Sequence, residues 1–319
     1  MARNAVGRPD HLVLTGPTAS GKSAVALELA RLLGDVEIVS VDSMQVYRGM
    51  DIGTAKPTVE EQREVPHHLI DLVDPDEDYA VAEFQAAAQR VLAEIESRGH
   101  RALLVGGTGL YLRAVVDDLD IPGRYPEILS DLEGEPDTEV LHRRLLEADP
   151  DAAGRMEPTN RRRVLRALEV TLGSGRRFSS FGPGLEQFPR VAFVQRALAI
   201  PRASIDARIE QRYARQMADG FLDEVVALAG RPEGLSRTAG QALGYRELLA
   251  HVAGTCSLQE ALDSAALRTR QFARRQERWF RRDPRIRWVE APSDGGFHNH
   301  MATVAALLED FAVGMATTP

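Results

Sequence analysis

Apolar residues along the first third of the chain follow two alternating rhythms. Leu12–Thr15 is a short apolar run that predicts a buried strand. From Gly21 to Leu33 the spacing becomes helical, with Val25, Leu29, Leu32 and Leu33 on one side. VEIVSV (Val36–Val41) predicts a second strand, which ends in Asp42-Ser43. Helical spacing returns over Tyr79–Ile95, and Ala102–Val105 predicts a third strand running into Gly106-Gly-Thr-Gly109. Strands alternating with helices predict an α/β fold, a doubly wound parallel sheet. Ligands of such sheets bind at the carboxyl ends of the strands. The turns after the three strands are therefore expected to converge.

The rhythm breaks at about Asp118. From there to Pro189 the chain is charged and interrupted by Pro122, Pro126, Pro136, Pro150 and Pro158. It also holds an Arg-rich helical stretch, NRRRVLRALEV, and a Gly/Ser/Phe loop, GSGRRFSSFGPG. A mostly helical insertion, 118–189, is expected within a core built from 1–117 and 190–319. Val191–Ile200 predicts a strand that returns to the sheet, and helices fill most of the remainder. APSDGGFHNH (Ala291–His300) predicts a surface loop before a short final helix.

Composition changes this picture in three ways. No apolar run approaches the ~18 residues of a membrane span, and the polar MARNAVGRPD at the start has no apolar secretion core. With a single cysteine, Cys256, neither a disulfide framework nor a thiolate zinc site can be built. A cytoplasmic enzyme is expected. The net charge is −8, yet Leu267–Trp288 carries nine arginines against Glu277 and Asp283, an excess of +7 that leaves −15 for the rest. A polyanion would meet a basic face on an acidic body. Finally, of the 39 basic residues two are lysines, Lys22 and Lys56. Lys presents a compact ammonium and Arg a broad planar fork, so both sites are inferred to need Lys specifically.

Lys22 lies in Gly16-Pro17-Thr18-Ala19-Ser20-Gly21-Lys22-Ser23, a phosphate-binding pattern that opens a helix directly after a strand. Its glycines let backbone N–H groups turn inward, and the helix N-terminus adds its positive end. Lys22 would neutralise phosphoryl oxygens, and the Ser23 hydroxyl is placed to hold Mg²⁺. Which phosphate is held stays open at this point. A phosphoryl-transfer enzyme usually has an acid at a neighbouring strand end. Asp42 could serve, but the third strand offers none. Two lysines also leave no room for a guanine-reading NKxD. A small-molecule kinase stays open, because its remaining catalytic groups are arginines. An RNA-binding module with a vestigial loop is disfavoured by the survival of Lys22.

Longer stretches are more specific. SVDSMQVYRGMDIGTAKP (Ser40–Pro57), PHHLIDLVDPDEDYAVAEF (Pro66–Phe84), GGTGLYLRA (Gly106–Ala114), NRRRVLRALEV (Asn160–Val170), RIEQR (Arg208–Arg212), ALGYREL (Ala242–Leu248) and TRQFARRQERWFRR (Thr269–Arg282) occur in this order. Together they resemble the tRNA dimethylallyltransferases, from about His11 to Trp288. The resemblance implies transfer of a dimethylallyl group from dimethylallyl diphosphate to the exocyclic amine of the adenosine beside the anticodon, with release of diphosphate. It implies Asp42 as catalytic base and Thr108 at the reaction centre. Lys22, the loop amides, Mg²⁺ and Arg212 would stabilise the leaving diphosphate. Asp42, Ser43, Met44, Gln45 and Thr108 would touch the flipped-out base and its neighbours. Arg161, Arg162, Arg163, Val164, Leu165 and Arg166 would meet the anticodon stem-loop, and the C-terminal basic helix would add backbone contacts. There Phe272, Gln276, Trp279 and Phe280 share a helical face expected to pack in the core. His67 and His68 are expected to be structural, and His298 and His300, in the expected loop, are not expected to hold a metal. The family suggests a monomer without a protein partner. An adenylate isopentenyltransferase acting on free AMP, ADP or ATP is a close variant, which the basic patches and the insertion disfavour.

Overall fold

Among the described residues six strands form one parallel sheet: β1 (His11–Thr15), β2 (Val36–Ser40), β3 (His67–His68), β4 (Arg101–Gly106), β5 (Phe193–Ala199) and β6 (Arg287–Glu290), in the order β3-β2-β4-β1-β5-β6. The computed structural model describes residues 11–182, 184–291 and 297–316. The chain divides into two compact units, one of residues 1–116 and 190–319, the other of residues 117–189. The sheet belongs to the first. Its four inner strands, β1, β2, β4 and β5, are short and mostly apolar because both faces are covered.

Side-chain alternation along each strand feeds two cores. Leu12, Leu14, Ile38, Leu103, Val105 and Leu198 point to one face. There they meet Val25 and Leu29 of α1 (Lys22–Leu33), with Leu307 and Phe311 from the C-terminal helix. Val13, Val39, Leu104 and Ala197 point to the other. On that side run α3 (Val81–Ser97) and α4 (Gly109–Val116), whereas α2 (Val59–Glu64) lies beside α1, its Glu64 paired with Arg31. α3 contributes Phe84 and Ile95, both fully buried, and each such side chain adds about 1.5–3 kcal/mol of apolar burial.

The second unit is helical: α5 (Pro126–Glu133), α6 (Thr138–Ala148), α7 (Pro150–Ala153) and α8 (Arg161–Ser174). They enclose a small core of Leu132, Leu141, Leu145, Val164 and Leu168. Buried Asp149 ties it together, accepting hydrogen bonds from Ala152 N, Ser179 N and Ser179 Oγ. The chain then rejoins the first unit with α9 (Arg202–Ala218), α10 (Phe221–Ala229), α11 (Tyr245–Val252), α12 (Leu258–Phe280) and α13 (Phe297–Ala316). Among the described residues no helix is long and apolar enough to cross a membrane.

Several boundaries differ from the periodicity. β3 has two residues and β6 four, and both lie at sheet edges. There one side has no strand partner, and polar residues are tolerated. Leu32, expected on the buried side of α1, is exposed. Of the expected loop Ala291–His300, residues 292–296 lie outside the described part. Residues 297–300, including His298 and His300, open α13 rather than continue a loop.

Near the amino end of the sheet, buried Glu37 of β2 receives three partners. Arg98 donates through Nε (2.9 Å) and Nη2 (2.8 Å), His68 through Nε2 (2.7 Å) and His100 through Nδ1 (2.9 Å). Burial alone would raise this carboxyl, but the hydrogen bonds outweigh it and hold the pKa at about 2, against an ordinary 4.5. A carboxyl depressed on folding stabilises the fold above its unfolded pKa and loses that contribution as pH falls from 4.5 toward 2. Glu37→Gln should therefore lower stability at pH 7 by on the order of 2 kcal/mol and flatten the acid limb of a thermal-melting series. A variant with the wild-type acid limb would show that Glu37 does not carry it.

Candidate active site

Between β1 and α1 the chain turns through Gly16–Gly21. Gly16 (φ +141°), Ala19 (φ +61°) and Gly21 (φ +88°) take positive φ. A Cβ on Gly16 would also stand 3.3 Å from the Leu198 backbone. Ala19 holds the left-handed conformation at ~1–2 kcal/mol, strain of the kind that gathers at ligand-holding turns. No side chain caps α1 after Gly21, so its first N–H groups face outward unpaired by the helix. Ser20 is buried and, among the described residues, its hydroxyl has no partner. Lys22 Nζ lies 3.5 Å from the Pro17 carbonyl oxygen, and Ser23 is exposed next to it. Burial pulls the Lys22 ammonium from 10.5 down to about 8, with Asp42 opposing and Arg212 reinforcing the shift.

The turns after β2 and β4 meet beside this loop. Asp42 Oδ1 accepts the Met44 N–H at 2.9 Å, so one carboxylate oxygen braces its own turn. The Thr108 hydroxyl accepts Ser43 N–H at 3.2 Å and lies 3.4 Å from Ser43 Oγ. Gln45 Oε1 receives Ser40 Oγ at 2.7 Å, while its Nε2 donates to the carbonyls of Thr54 and Ala55. Met44 leans on the apolar core.

Four helices hold these turns from behind. Arg212 of α9 donates to Thr18 Oγ1 (3.2 Å) and to the Gly53 carbonyl (3.0 Å). One turn earlier on the same helix, Arg208 donates to the Ser20 carbonyl at 3.3 Å. The Glu224 carboxylate of α10 gathers three successive N–H groups, those of Asp51, Ile52 and Gly53, plus the Tyr245 hydroxyl of α11 at 2.5 Å. Burial, then the Glu224 carboxylate, pushes the Tyr245 phenol well above its ordinary range. Gln216 donates to the Ile52 and Gly53 carbonyls. Lys56, with its side chain 4% exposed, donates to the Tyr47 carbonyl, Asp51 and Asp71. Three converging acceptors suit a tetrahedral ammonium better than a planar guanidinium. From α12, Gln276 accepts Thr18 N–H at 2.8 Å and donates to the Gly107 carbonyl at 2.9 Å. Sequence reasoning put Gln276 on a core face and missed Glu224 and Arg208. The available signal was a carboxamide in an otherwise apolar stripe with Phe272, Trp279 and Phe280.

The structure thus brings Gly16–Ser23, Asp42–Gln45, Thr108 and Arg212 together at the carboxyl end of the sheet. The expected residues of α8 form a separate group within the second unit and differ among themselves. Arg162 and Arg163 are exposed and, among the described residues, unpaired. Arg161 donates to the carbonyls of Glu133, Glu135 and Pro136 at and just beyond the end of α5. Arg166 donates to the Pro122 carbonyl and pairs with Glu169 at 2.9 Å. Val164 and Leu165 are buried in this unit's core. Helical periodicity turns them inward, so their side chains offer nothing to an external ligand. The basic run is also less naked than its composition. Arg268 pairs with Glu247, Arg270 with Glu210 and Arg274 with Asp206, acids supplied by α11 and α9.

A family model described as IPP transferase matches residues 45–283. The chain belongs to the IPP transferase family. A tRNA dimethylallyltransferase of Geobacter metallireducens is 47% identical over 92% of this chain and 96% of its own length. One from Kineococcus radiotolerans is 47% identical over 88% and 90%. The crystal structure of the full-length tRNA isopentenylpyrophosphate transferase of Bacillus halodurans aligns with a TM-score of 0.69 and 35% identity, covering 96% of this chain and 98% of that one. A eukaryotic dimethylallyltransferase acting on tRNA aligns at 0.78 with 25% identity, over 95% and 79%. These structural neighbours share the α/β architecture with this member of the family.

Two lysines in contrasting settings make the loop testable by labelling. With a pKa of about 8, Lys22 holds much neutral amine at pH 8, whereas the Lys56 nitrogen is engaged by two carboxylates. An acylating reagent used at limiting amounts should label the Lys22 peptide well before the Lys56 peptide, and inorganic diphosphate should protect it. Equal labelling, or no protection, counts against an anion seat at Lys22.

Proposed function

We infer that this enzyme transfers a dimethylallyl group from dimethylallyl diphosphate to the exocyclic amine of the adenosine next to the anticodon of tRNA. The observation that carries this reading is the convergence of the strained loop, Lys22 and Arg212 with Asp42 and Thr108, in a member of the IPP transferase family. Diphosphate would sit on the loop amides of Gly16–Ser23, with Lys22 and Arg212 meeting the charge that grows as the carbon–oxygen bond breaks. Adenine's amino lone pair is delocalised into the ring, so its attack needs a proton acceptor. Asp42 keeps one oxygen for this, since Oδ1 already holds the Met44 N–H. As the nitrogen–carbon bond forms, the amine proton passes to Asp42 and diphosphate leaves with the bonding pair.

The orphan Ser20 hydroxyl and the exposed Ser23 hydroxyl offer hard oxygen donors of the kind Mg²⁺ accepts alongside waters and phosphate oxygens. Mg²⁺ bound through Ser23 would supply charge neutralisation on the diphosphate. Thr108, Ser43, Met44 and Gln45 would contact the flipped base and its neighbours, and Arg162 and Arg163 the phosphates of the anticodon stem-loop. We take the enzyme to act in the cytoplasm as a monomer.

Nucleoside mass spectrometry tests the reaction directly. Incubated with Mg²⁺, dimethylallyl diphosphate and unmodified tRNA, the enzyme should add one five-carbon unsaturated unit to a tRNA adenosine. Free AMP and ATP should stay unmodified. Asp42→Ala should lose most turnover, by about 10²–10⁴-fold, yet still bind tRNA. Modified AMP would overturn the RNA acceptor, and near-normal turnover would remove Asp42 as base. For the second unit, replacing Arg162 and Arg163 with Ala should reduce the slope of log affinity against log salt by about 2, and an unchanged slope would place the RNA elsewhere.

A further inference from the structure

Gln276 joins the two halves of the site, and nothing in the reaction described above uses it. Its side chain is buried, in a residue 6% exposed. Oε1 accepts Thr18 N–H at 2.8 Å, and Nε2 donates to the Gly107 carbonyl at 2.9 Å. A backbone N–H can only donate and a carbonyl can only accept, so the two partners fix which way the carboxamide points. The contact is close by construction: a Cβ on Gly107 would stand 2.2 Å from Gln276 Nε2. A residue that merely filled space would need neither polarity nor this orientation.

The two partners belong to different tasks. Thr18 is in the anion-holding loop, and its hydroxyl also receives Arg212. Gly107 immediately precedes Thr108, whose hydroxyl accepts the N–H of Ser43 in the turn that carries Asp42. One carboxamide therefore spans the seat of the leaving group and the strand end that handles the attacking amine.

We propose that Gln276 is a positioning residue that sets the alignment between the diphosphate loop and the Asp42–Thr108 pair. The inference rests on the prenyl-transfer reading. Displacement at carbon needs attacking and leaving atoms held nearly in line, and a shift of about 1 Å can lower turnover about 100-fold. Of the loop amides, that of Thr18 is taken up by Gln276 and is not left for the anion, so loss of Gln276 should act on kcat more than on either KM.

Two variants test this beside the wild-type enzyme. Gln276→Met keeps the volume and deletes both hydrogen bonds. Expected are a kcat lower by about 10–100-fold, KM values for dimethylallyl diphosphate and tRNA within about threefold, and a cooperative thermal transition. Gln276→Glu gives a distinguishing pH signature. Ionised, its carboxylate can accept from Thr18 but repels the Gly107 carbonyl. Protonated, one oxygen accepts and the hydroxyl donates, as the amide does. The ratio of its kcat to the wild-type value should therefore rise as pH falls from 8 to about 6. A Gln276→Glu ratio that is flat with pH overturns the proposal, whatever the stability of Gln276→Met. So does a variant whose defect lies wholly in the diphosphate KM, which would make Gln276 a prop of the loop alone. An active wild type with unaltered variants sinks the alignment role by itself. A wild type that prenylates no tRNA sinks the reaction and this role together.

Discussion

A Cβ at Gly106 would stand 2.0 Å from the Val41 carbonyl oxygen, one at Gly107 2.2 Å from Gln276 Nε2, and one at Gly109 2.2 Å from Trp279 Nε1. Backbone at the end of β4 is thereby pressed against the end of β2 on one side and against α12 on the other. The site depends on this closeness. Only with α12 at such range can a side chain from residue 276 reach both Gly107 and the loop after β1. Only with β2 and β4 ending together can the Thr108 hydroxyl accept the N–H of Ser43. The glycines do not supply chemistry; they remove the atoms that would keep three segments apart.

Behind that junction lies a second layer of fixed backbone. The Asp51–Gly53 segment gives its N–H groups to Glu224 and its carbonyls to Gln216 and Arg212. Arg212 thus reaches Thr18 with one end of its guanidinium while the other is anchored to a carbonyl that Glu224 and Tyr245 hold in place. A bidentate cation held this way keeps its direction with or without an anion before it, which is the preorganisation that electrostatic stabilisation of a leaving group requires. Gly53 completes the arrangement, since any side chain there would run into Phe221 and Tyr245.

The alternation of apolar runs and helical spacing was enough to read the four inner strands and the place where their turns converge. Burial on both faces leaves a plain apolar signature at Leu12–Leu14 and Leu103–Val105. β3 and β6 left no such signature, because an edge strand of two or four residues need not be apolar. Charge was harder to read than shape. Four arginines of NRRRVLRALEV look alike in sequence, but Arg161 and Arg166 are tied to local carbonyls and Glu169, while Arg162 and Arg163 stay exposed. Likewise Glu247, Glu210 and Asp206, far away in the chain, temper the basic run of α12. Pairing between distant elements decides which charges remain for a ligand, and local composition carries no record of it.

The insertion has a consequence for how the sheet is assembled. β1 lies between β4 and β5, with Leu12 opposite Leu103 on one side and Val194 on the other. Its second neighbour is thus separated from it by the whole of residues 117–189 in addition to β2, β3 and β4. By loop-closure entropy, that extra length adds only roughly 0.5 kcal/mol to the search. It matters more in time than in free energy. During synthesis β1 is exposed along one edge until residue 193 emerges, and the unpaired N–H and C=O groups of Leu12–Leu14 stay open for as long as the helical unit takes to be made. A parallel sheet with a late-arriving central neighbour is slow to close, and an edge left open in that interval is where association with another chain would begin.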